Sequence, residues 1–185
     1  VDTAESKDNI NKAYNLISTS KVRNEMIIDD VITCVARKQT PVILTRFKEH
    51  AKFLHDALKE KADHVFLLYG DNSDKENAEI RIRLKKVPRT ESLILIATGQ
   101  KIGEGFDFPR LDVLMLAAPV SFEGRLEQYI GRLNRDYAGK ENVIIYDYVD
   151  NHIPMFNNMY MKRLKAYKQI GYEFGDGCLL YTSPS

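Results

Sequence analysis

Apolar and polar positions alternate in blocks that divide the chain into short strands and longer helices. Five runs rich in β-branched and other apolar residues predict buried strands at 41–45, 64–69, 92–98, 111–118 and 142–149. Helical spacing of apolar residues predicts helices at about 24–38, 47–61, 73–86 and 154–170, with another over 127–140. Strands that alternate with helices in this way predict an α/β domain of three layers, in which a mostly parallel sheet carries helices on both faces.

The same patterning predicts how the chain is divided. Residues 1–38 are predicted as an N-terminal helical extension and residues 39–174 as the α/β lobe. Residues 175–185, "GDGCLLYTSPS", continue no periodicity, and we expect them to be a non-native tail. At its start, the helix predicted from Ser73 carries a capping box with Glu76.

The amino-acid composition excludes several classes of protein but does not identify a function. The chain has 185 residues, 44% apolar and 29% charged, and a net charge of +1, which predicts a soluble globular domain with no global attraction to nucleic acid or membrane. Cys34 and Cys178 suggest neither a disulfide framework nor a zinc site, so we expect a reduced, cytoplasmic setting. No apolar run reaches the roughly 18 residues that a membrane-spanning helix needs.

Candidate ligand-binding residues follow three of the predicted strands, where parallel sheets gather their ligands. Thr45 and Arg46 end the first strand, Gly70 follows the second, and Thr98 and Gly99 close the third. A hydroxyl beside an exposed backbone amide suits a phosphate. A solvated arginine and ordinary turn residues explain the first two strand ends equally well.

The loop after the third strand combines glycines with acids. Gly103, Glu104, Gly105 and Asp107 occur within five residues, so Asp107 is a candidate for a ribose hydroxyl and Glu104 for orienting a basic residue. A dinucleotide-binding G-x-G-x-x-G fingerprint would need a glycine at 108, where Phe108 stands.

The stretch "EQYIGRLNRDYAGK" at 127–140 carries two stripes at helical spacing. The apolar one is predicted to face the sheet, and the polar one contains Gln128, Arg132 and Arg135, with Gly131 beside them. Glycine costs about 1 kcal/mol in a helix interior, which makes sense where a ligand approaches closely. Two interpretations stay open on these residues alone: a solvated helix face, or a row of donors for an anion.

Three stretches together resemble a known family. "LIATGQKIGEGFDFP" resembles motif V and "QYIGRLNR" motif VI of superfamily 2 helicases, and "PVILTRFKEHAKFL" resembles motif IV in the correct upstream place. Over about residues 20–174 the chain resembles the C-terminal RecA-like lobe of DEAD/DEAH-type helicases related to restriction-enzyme helicase subunits. The resemblance implies a RecA-like fold of the P-loop NTPase type.

The resemblance also implies roles for individual residues around ATP and Mg²⁺ held between two lobes. Arg135 would be the arginine finger, Arg132 would contact the γ-phosphate, and Gln128 would help to close the site. The ATP-binding set would be Gly103, Glu104, Gly105, Asp107 and Gly131. The contacts to the nucleic-acid backbone would be Thr45, Arg46, Gly70, Thr98, Gly99 and Lys101.

Two catalytic motifs of such motors are absent from the sequence. Gly139-Lys140 is followed by Glu141 rather than by Ser or Thr, and no predicted strand ends in D-E-x-H or D-E-x-D. We therefore expect that this chain does not hydrolyse ATP alone, and that an N-terminal lobe of the same polypeptide supplies the magnesium ligands. Gly99 and Glu104 depart from the DEAD-box pattern, which favours DNA over RNA as the partner.

Other candidate residues have simpler interpretations. His50 and His55 are predicted to be structural, because no Cys or acid completes a metal site with them. The basic runs "RIRLKK" at 81–86 and "KRLKAYK" at 162–168 are predicted to be solvated helix faces. The alternative function is a nucleic-acid-binding module that kept the fold without motor activity. A nucleotide-binding domain for small molecules is disfavoured by the lack of a phosphate loop.

Overall fold

The computed structural model describes residues 3–98, 108–120 and 143–174. The elements in these ranges, in chain order, are α1 (Thr3–Ser18), α2 (Lys21–Ala36), β1 (Pro41–Thr45), α3 (Lys48–Leu58), β2 (His64–Leu68), α4 (Asp74–Lys86), β3 (Leu93–Thr98), β4 (Val113–Leu116), β5 (Ile144–Asp147) and α5 (Pro154–Ile170). All five predicted strands are confirmed. The helix predicted over 127–140 and the tail predicted at 175–185 lie outside the described residues.

The five strands form one parallel sheet in the order β2-β3-β1-β4-β5. The register aligns Thr45 with Thr98 and Leu44 with Leu116, so β1, β3 and β4 end close to one another. The three central strands, β3, β1 and β4, are buried along their whole length. This burial explains why the strands read as continuous apolar runs, since a parallel sheet has no face left for water.

Side chains alternate between two cores, one on each face of the sheet. Val42 and Leu44 point into a core shared with α4 and α5, whereas Ile43 points into a core shared with α2 and α3. Ile27 and Val31 of α2 are completely buried in the second core. The predicted three-layer α/β fold is confirmed, and the second helix of the segment 1–38 packs directly on the sheet.

Local sequence signals set the helix ends. The predicted capping box is present: the Ser73 hydroxyl accepts from the Glu76 backbone N–H at 3.2 Å, and the Glu76 carboxylate accepts from the Ser73 N–H at 2.6 Å. Helix α5 begins at Pro154 and ends at Ile170, and the next residue, Gly171, caps it with a φ of +97° that favours glycine. Among the described residues, no helix is both long enough and apolar enough to cross a membrane.

Candidate nucleic-acid interface

The carboxyl ends of the strands bring three predicted residues to one edge of the sheet. Thr45 and Thr98 are direct partners in the pairing of β1 with β3. Leu68, the last residue of β2, pairs with Ala97, so Gly70 follows at the same edge. A residue at Gly70 with a Cβ would meet nothing within 4 Å, which leaves this position open. The topology therefore groups residues that lie up to 53 positions apart in the chain.

A buried hydrogen-bond chain determines what the Thr45 hydroxyl can do. The Asn24 amide nitrogen donates to the Ser18 carbonyl, so its oxygen accepts from His50 Nε2 at 2.8 Å. The neutral ring then presents a bare Nδ1, which accepts the proton of the Thr45 hydroxyl at 2.6 Å. Burial, with the nearby charge of Arg23, lowers the pKa of His50 to about 3 and keeps the ring neutral.

This arrangement leaves the Thr45 hydroxyl with no proton to donate to a phosphate. Its side chain is buried and its only hydroxyl proton is directed at His50. A phosphate oxygen needs a donor, and the Thr45 hydroxyl is already donating. The expectation that His50 is structural is confirmed. Of the two threonines, Thr98 lies closer to the surface, at 9% exposure against 3% for Thr45.

Arg46 is an exposed cation at this edge. Its guanidinium carbon lies 4.3 Å from the centre of the Tyr14 ring, within the range of a cation–π contact. Tyr14 belongs to α1, so the first helix of the chain extends to the carboxyl edge of the sheet and holds Arg46 there. Close by in sequence, Lys48 pairs with Asp71 at 3.2 Å, and both side chains are largely exposed.

Three side chains from three helices hold the segment that follows β4. The guanidinium of Arg23, on α2, donates to the Ala117 carbonyl. The Tyr14 hydroxyl donates to the Pro119 carbonyl at 2.8 Å, and Arg163 Nη1, on α5, donates to the Val120 carbonyl at 2.8 Å.

Both of these arginines are buried and paired with an aspartate. Arg23 donates to the Asp150 carboxylate at 3.0 and 2.9 Å, and Arg163 donates to Asp147 at 2.8 and 2.9 Å. Each pair is bidentate, the geometry in which arginine binds a carboxylate best. Burial disfavours the charge on Arg163, but Asp147 outweighs this and raises the pKa of the guanidinium.

The pairing of Arg163 with Asp147 contradicts the prediction that the run 162–168 is a solvated basic face. Neither this pairing nor that of Arg23 with Asp150 was predicted from the sequence. The run 162–168 is not a uniformly solvated basic face, because Arg163 is only 1% exposed. Its burial is possible because the carboxylate of Asp147 and the Val120 carbonyl satisfy the guanidinium. A signal existed in "IYDYVD", where two acids interrupt an apolar strand and require buried partners.

All the predicted catalytic and ATP-binding residues, and two of the predicted nucleic-acid-binding residues, Gly99 and Lys101, lie outside the described residues. These are Gly99, Lys101, Gly103, Glu104, Gly105, Asp107, Gln128, Gly131, Arg132 and Arg135. Their roles stay predictions. Within the described ranges, no group of three His, Cys, Asp or Glu side chains is placed to hold a metal ion.

The strand order, the two helical layers and the parallel register define a class of protein: the chain has the fold of the C-terminal RecA-like lobe of superfamily 2 helicases. The structure of T4 UvsW matches with a TM-score of 0.69 and 19% identity, over 86% of this chain and 35% of UvsW. S. cerevisiae Dbp5 bound to RNA and ADP BeF3 matches with a TM-score of 0.54 and 18% identity, over 80% of this chain and 36% of Dbp5. The Type ISP restriction-modification enzyme LlaBIII bound to DNA matches with a TM-score of 0.51 and 15% identity, over 71% of this chain and 10% of LlaBIII.

Sequence relatives include proteins of Invertebrate iridescent viruses and of Yaba-like disease virus, and no family model matches the chain. "Putative helicase 161L" of Invertebrate iridescent virus 6 is 32% identical over 160 residues, which are 83% of this chain and 35% of the relative. "Transcript termination protein A18" of Yaba-like disease virus is 30% identical over 125 residues, 66% of this chain and 26% of A18. The chain thus spans about a quarter to a third of these relatives.

A shorter relative establishes the family. Uncharacterized protein 108L of Invertebrate iridescent virus 3 is 44% identical over 86 residues, which cover 45% of this chain and 75% of 108L. The chain belongs to the same family as 108L. Together with the fold, these relatives confirm the resemblance to superfamily 2 helicases that the sequence motifs indicated.

Proposed function

We propose that the chain is the second motor lobe of an ATP-dependent superfamily 2 helicase or translocase. One observation carries the proposal: the RecA-like fold brings Thr98, inside the segment that resembles motif V, to the same edge of the sheet as Gly70 and the exposed Arg46. The relative named as a helicase, similar over 83% of this chain, supports the same conclusion.

In this proposal the lobe contributes donors to a site that another lobe completes. Arg135 is the arginine finger, Arg132 contacts the γ-phosphate, and Gln128 helps to close the site. Glycines and acids of the motif V loop line the nucleotide. Magnesium would be held by carboxylates of an N-terminal lobe in the same polypeptide, because no predicted strand of this sequence ends in D-E-x-H or D-E-x-D.

The nucleic-acid partner contacts the carboxyl edge of the sheet. Arg46 and Lys101 supply positive charge for the phosphate backbone, and Thr98 with Gly99 supplies hydrogen-bond donors. We propose DNA as the partner, because Gly99 and Glu104 depart from the DEAD-box pattern. The fold itself accommodates either partner, since Dbp5 was solved with RNA and LlaBIII with DNA. The proposed setting is the cytoplasm, in keeping with the free thiol of Cys34.

The decisive experiment replaces Arg135 by alanine in a protein that carries both lobes. Nucleic-acid-stimulated ATP hydrolysis should fall by about 10³- to 10⁵-fold, the usual contribution of an arginine finger. Arg37→Ala is the matched control, because Arg37 is exposed at the end of α2, four residues before β1 begins at the opposite edge of the sheet. Steady-state ATPase assays with and without single-stranded DNA measure both variants.

Two outcomes separate the candidate functions. Equal turnover in Arg135→Ala and Arg37→Ala would refute the assignment of the arginine finger. Binding of DNA without any stimulated ATPase in the unmodified protein would favour the alternative, a nucleic-acid-binding module with a RecA-like fold. The absence of a phosphate loop from this sequence is what favours the alternative.

A further inference from the structure

Tyr14 touches both parts of the proposed motor site. Its ring lies under the guanidinium of Arg46, with the guanidinium carbon 4.3 Å from the ring centre. Its hydroxyl donates at 2.8 Å to the Pro119 carbonyl, in the segment that leads from β4 toward the arginine motif. Arg132 follows Pro119 by thirteen residues in the sequence. One side chain therefore contacts the exposed cation of the nucleic-acid edge and the backbone that precedes the nucleotide-binding arginines.

The position of Tyr14 is fixed by its own packing. The side chain is only 2% exposed and forms edge-to-face contacts with Phe156 and Phe47, at ring-centre distances of 4.7 and 5.9 Å. It also belongs to a small core with Ile17 and Ala118. A closely packed ring cannot move without its neighbours, so a displacement of Arg46 would shift the Tyr14 ring and with it the Pro119 carbonyl, and the reverse also holds.

The backbone that Tyr14 holds is anchored on both sides. Arg23 binds the Ala117 carbonyl and Arg163 binds the Val120 carbonyl, and each is fixed by a buried aspartate. The third anchor is the hydrogen bond from Tyr14 to the Pro119 carbonyl. Of the three anchoring side chains, Tyr14 is the neutral one, and it also contacts Arg46. Of the three anchors, Tyr14 is therefore the one that can transmit a change at the nucleic-acid edge.

We propose that Tyr14 is a positioning residue that couples nucleic-acid contact at Arg46 to the placement of the chain entering the arginine motif. The inference rests on the proposed function of the lobe as the second half of an ATP-dependent motor. It assigns α1, which lies outside the three resembling motifs, a role in stimulating ATP hydrolysis. Tyr14 acts through Arg46 and Pro119 and does not itself contact either ligand.

Two substitutions at this position separate the two contacts. Tyr14→Phe keeps the ring under Arg46 and the contact with Phe156, and removes only the hydroxyl that binds Pro119. Tyr14→Leu removes the ring as well. Tyr148→Phe is the matched control, because it also loses a tyrosine hydrogen bond of 2.8 Å, to Asp30 on α2, at a site that does not involve Arg46.

In a protein that carries both lobes, Tyr14→Phe should lower the kcat of DNA-stimulated ATP hydrolysis about two- to tenfold, the factor expected from one ordinary hydrogen bond. Its Kd for a single-stranded DNA oligonucleotide, measured by fluorescence anisotropy, should stay within about twofold of the unmodified protein. Tyr14→Leu should in addition weaken that Kd about two- to fivefold, because the cation–π contact with Arg46 is lost. Tyr148→Phe should change neither quantity beyond about twofold.

Hydrogen exchange gives a readout that does not depend on activity. In the 185-residue chain, backbone amides of residues 117–120 should exchange at least about threefold faster in Tyr14→Phe than in Tyr148→Phe. Equal kcat or equal exchange rates in these two variants would overturn the coupling. Failure of the proposed function is recognised separately, because it appears as an Arg135→Ala variant with unchanged ATPase activity.

Discussion

Replacing Arg23 by methionine removes the cation from a fully buried ion pair and keeps most of the apolar part of the side chain. In the folded protein the guanidinium donates to both oxygens of Asp150 and to the carbonyls of Ala117 and Tyr148. The Asp150 side chain is 0% exposed, so water cannot replace the lost donors. The substitution therefore leaves a carboxylate without a counter-charge inside the protein.

The expected loss of stability follows from that burial. Removing one partner of a buried ion pair lowers the free energy of unfolding by about 3–5 kcal/mol. For a domain of this size, 1 kcal/mol corresponds to a change in Tm of about 2–4 °C, so Arg23→Met should lower the Tm by about 6–20 °C. The double variant Arg23→Met/Asp150→Leu should recover most of this loss, because two apolar side chains leave no unpaired charge.

Thermal and urea unfolding followed by circular dichroism measure these effects. The control is Lys48→Met, which breaks an exposed pair with Asp71 at 3.2 Å. Solvent already screens that pair, so its loss should shift the Tm very little. If Arg23→Met shifted the Tm no more than Lys48→Met, or if the double variant were less stable than Arg23→Met, the reasoning from burial would be refuted.

Two further predictions concern pH and backbone conformation. Because the pKa of His50 falls from 6.5 to about 3 on folding, the unfolded chain binds more protons between these values, and stability is lost as pH falls below about 6.5. Between pH 7 and pH 5 this single group should lower the free energy of unfolding by about 2 kcal/mol, and urea midpoints of His50→Gln should show a correspondingly weaker pH dependence. Gly171→Ala should lower stability by about 1 kcal/mol, because alanine is strained at a φ of +97°, whereas Gly70→Ala, at an open position, should be nearly neutral in the same unfolding assay.

The parts of the fold that sequence predicts well depend on local periodicity. The buried strands are continuous apolar runs such as "LILIAT", and the capping box of Ser73 and Glu76 is a local pattern that needs no tertiary partner. The sheet edge was also predictable, because parallel strands end at the same side and Thr45, Gly70 and Thr98 all follow strands.

The parts that sequence missed depend on partners far apart in the chain. Arg23 and Asp150 are separated by 127 positions, and although the apolar surroundings of Asp150 in "IYDYVD" indicate a buried partner, nothing local to Arg23 identifies it as that partner. The same holds for Thr45, whose hydroxyl looks available until His50 is seen to accept its proton. Periodicity reports which face of an element is buried, but it does not report which polar group a buried polar side chain meets.

The order of the strands in the sheet also bears on how the chain folds as it is synthesised. Of the strands described, β2 pairs only with β3, and β1 pairs with β3 and β4. During synthesis, β1 and β2 therefore leave the ribosome without a partner, and no ladder of this sheet can form until the chain has reached β3, which begins at Leu93. Until then Ile43, Leu44, Phe66 and Leu68, which the finished sheet buries, have only helices to cover them. The interval before β3 appears is thus the stage at which nascent chains are most exposed to aggregation and to capture by chaperones.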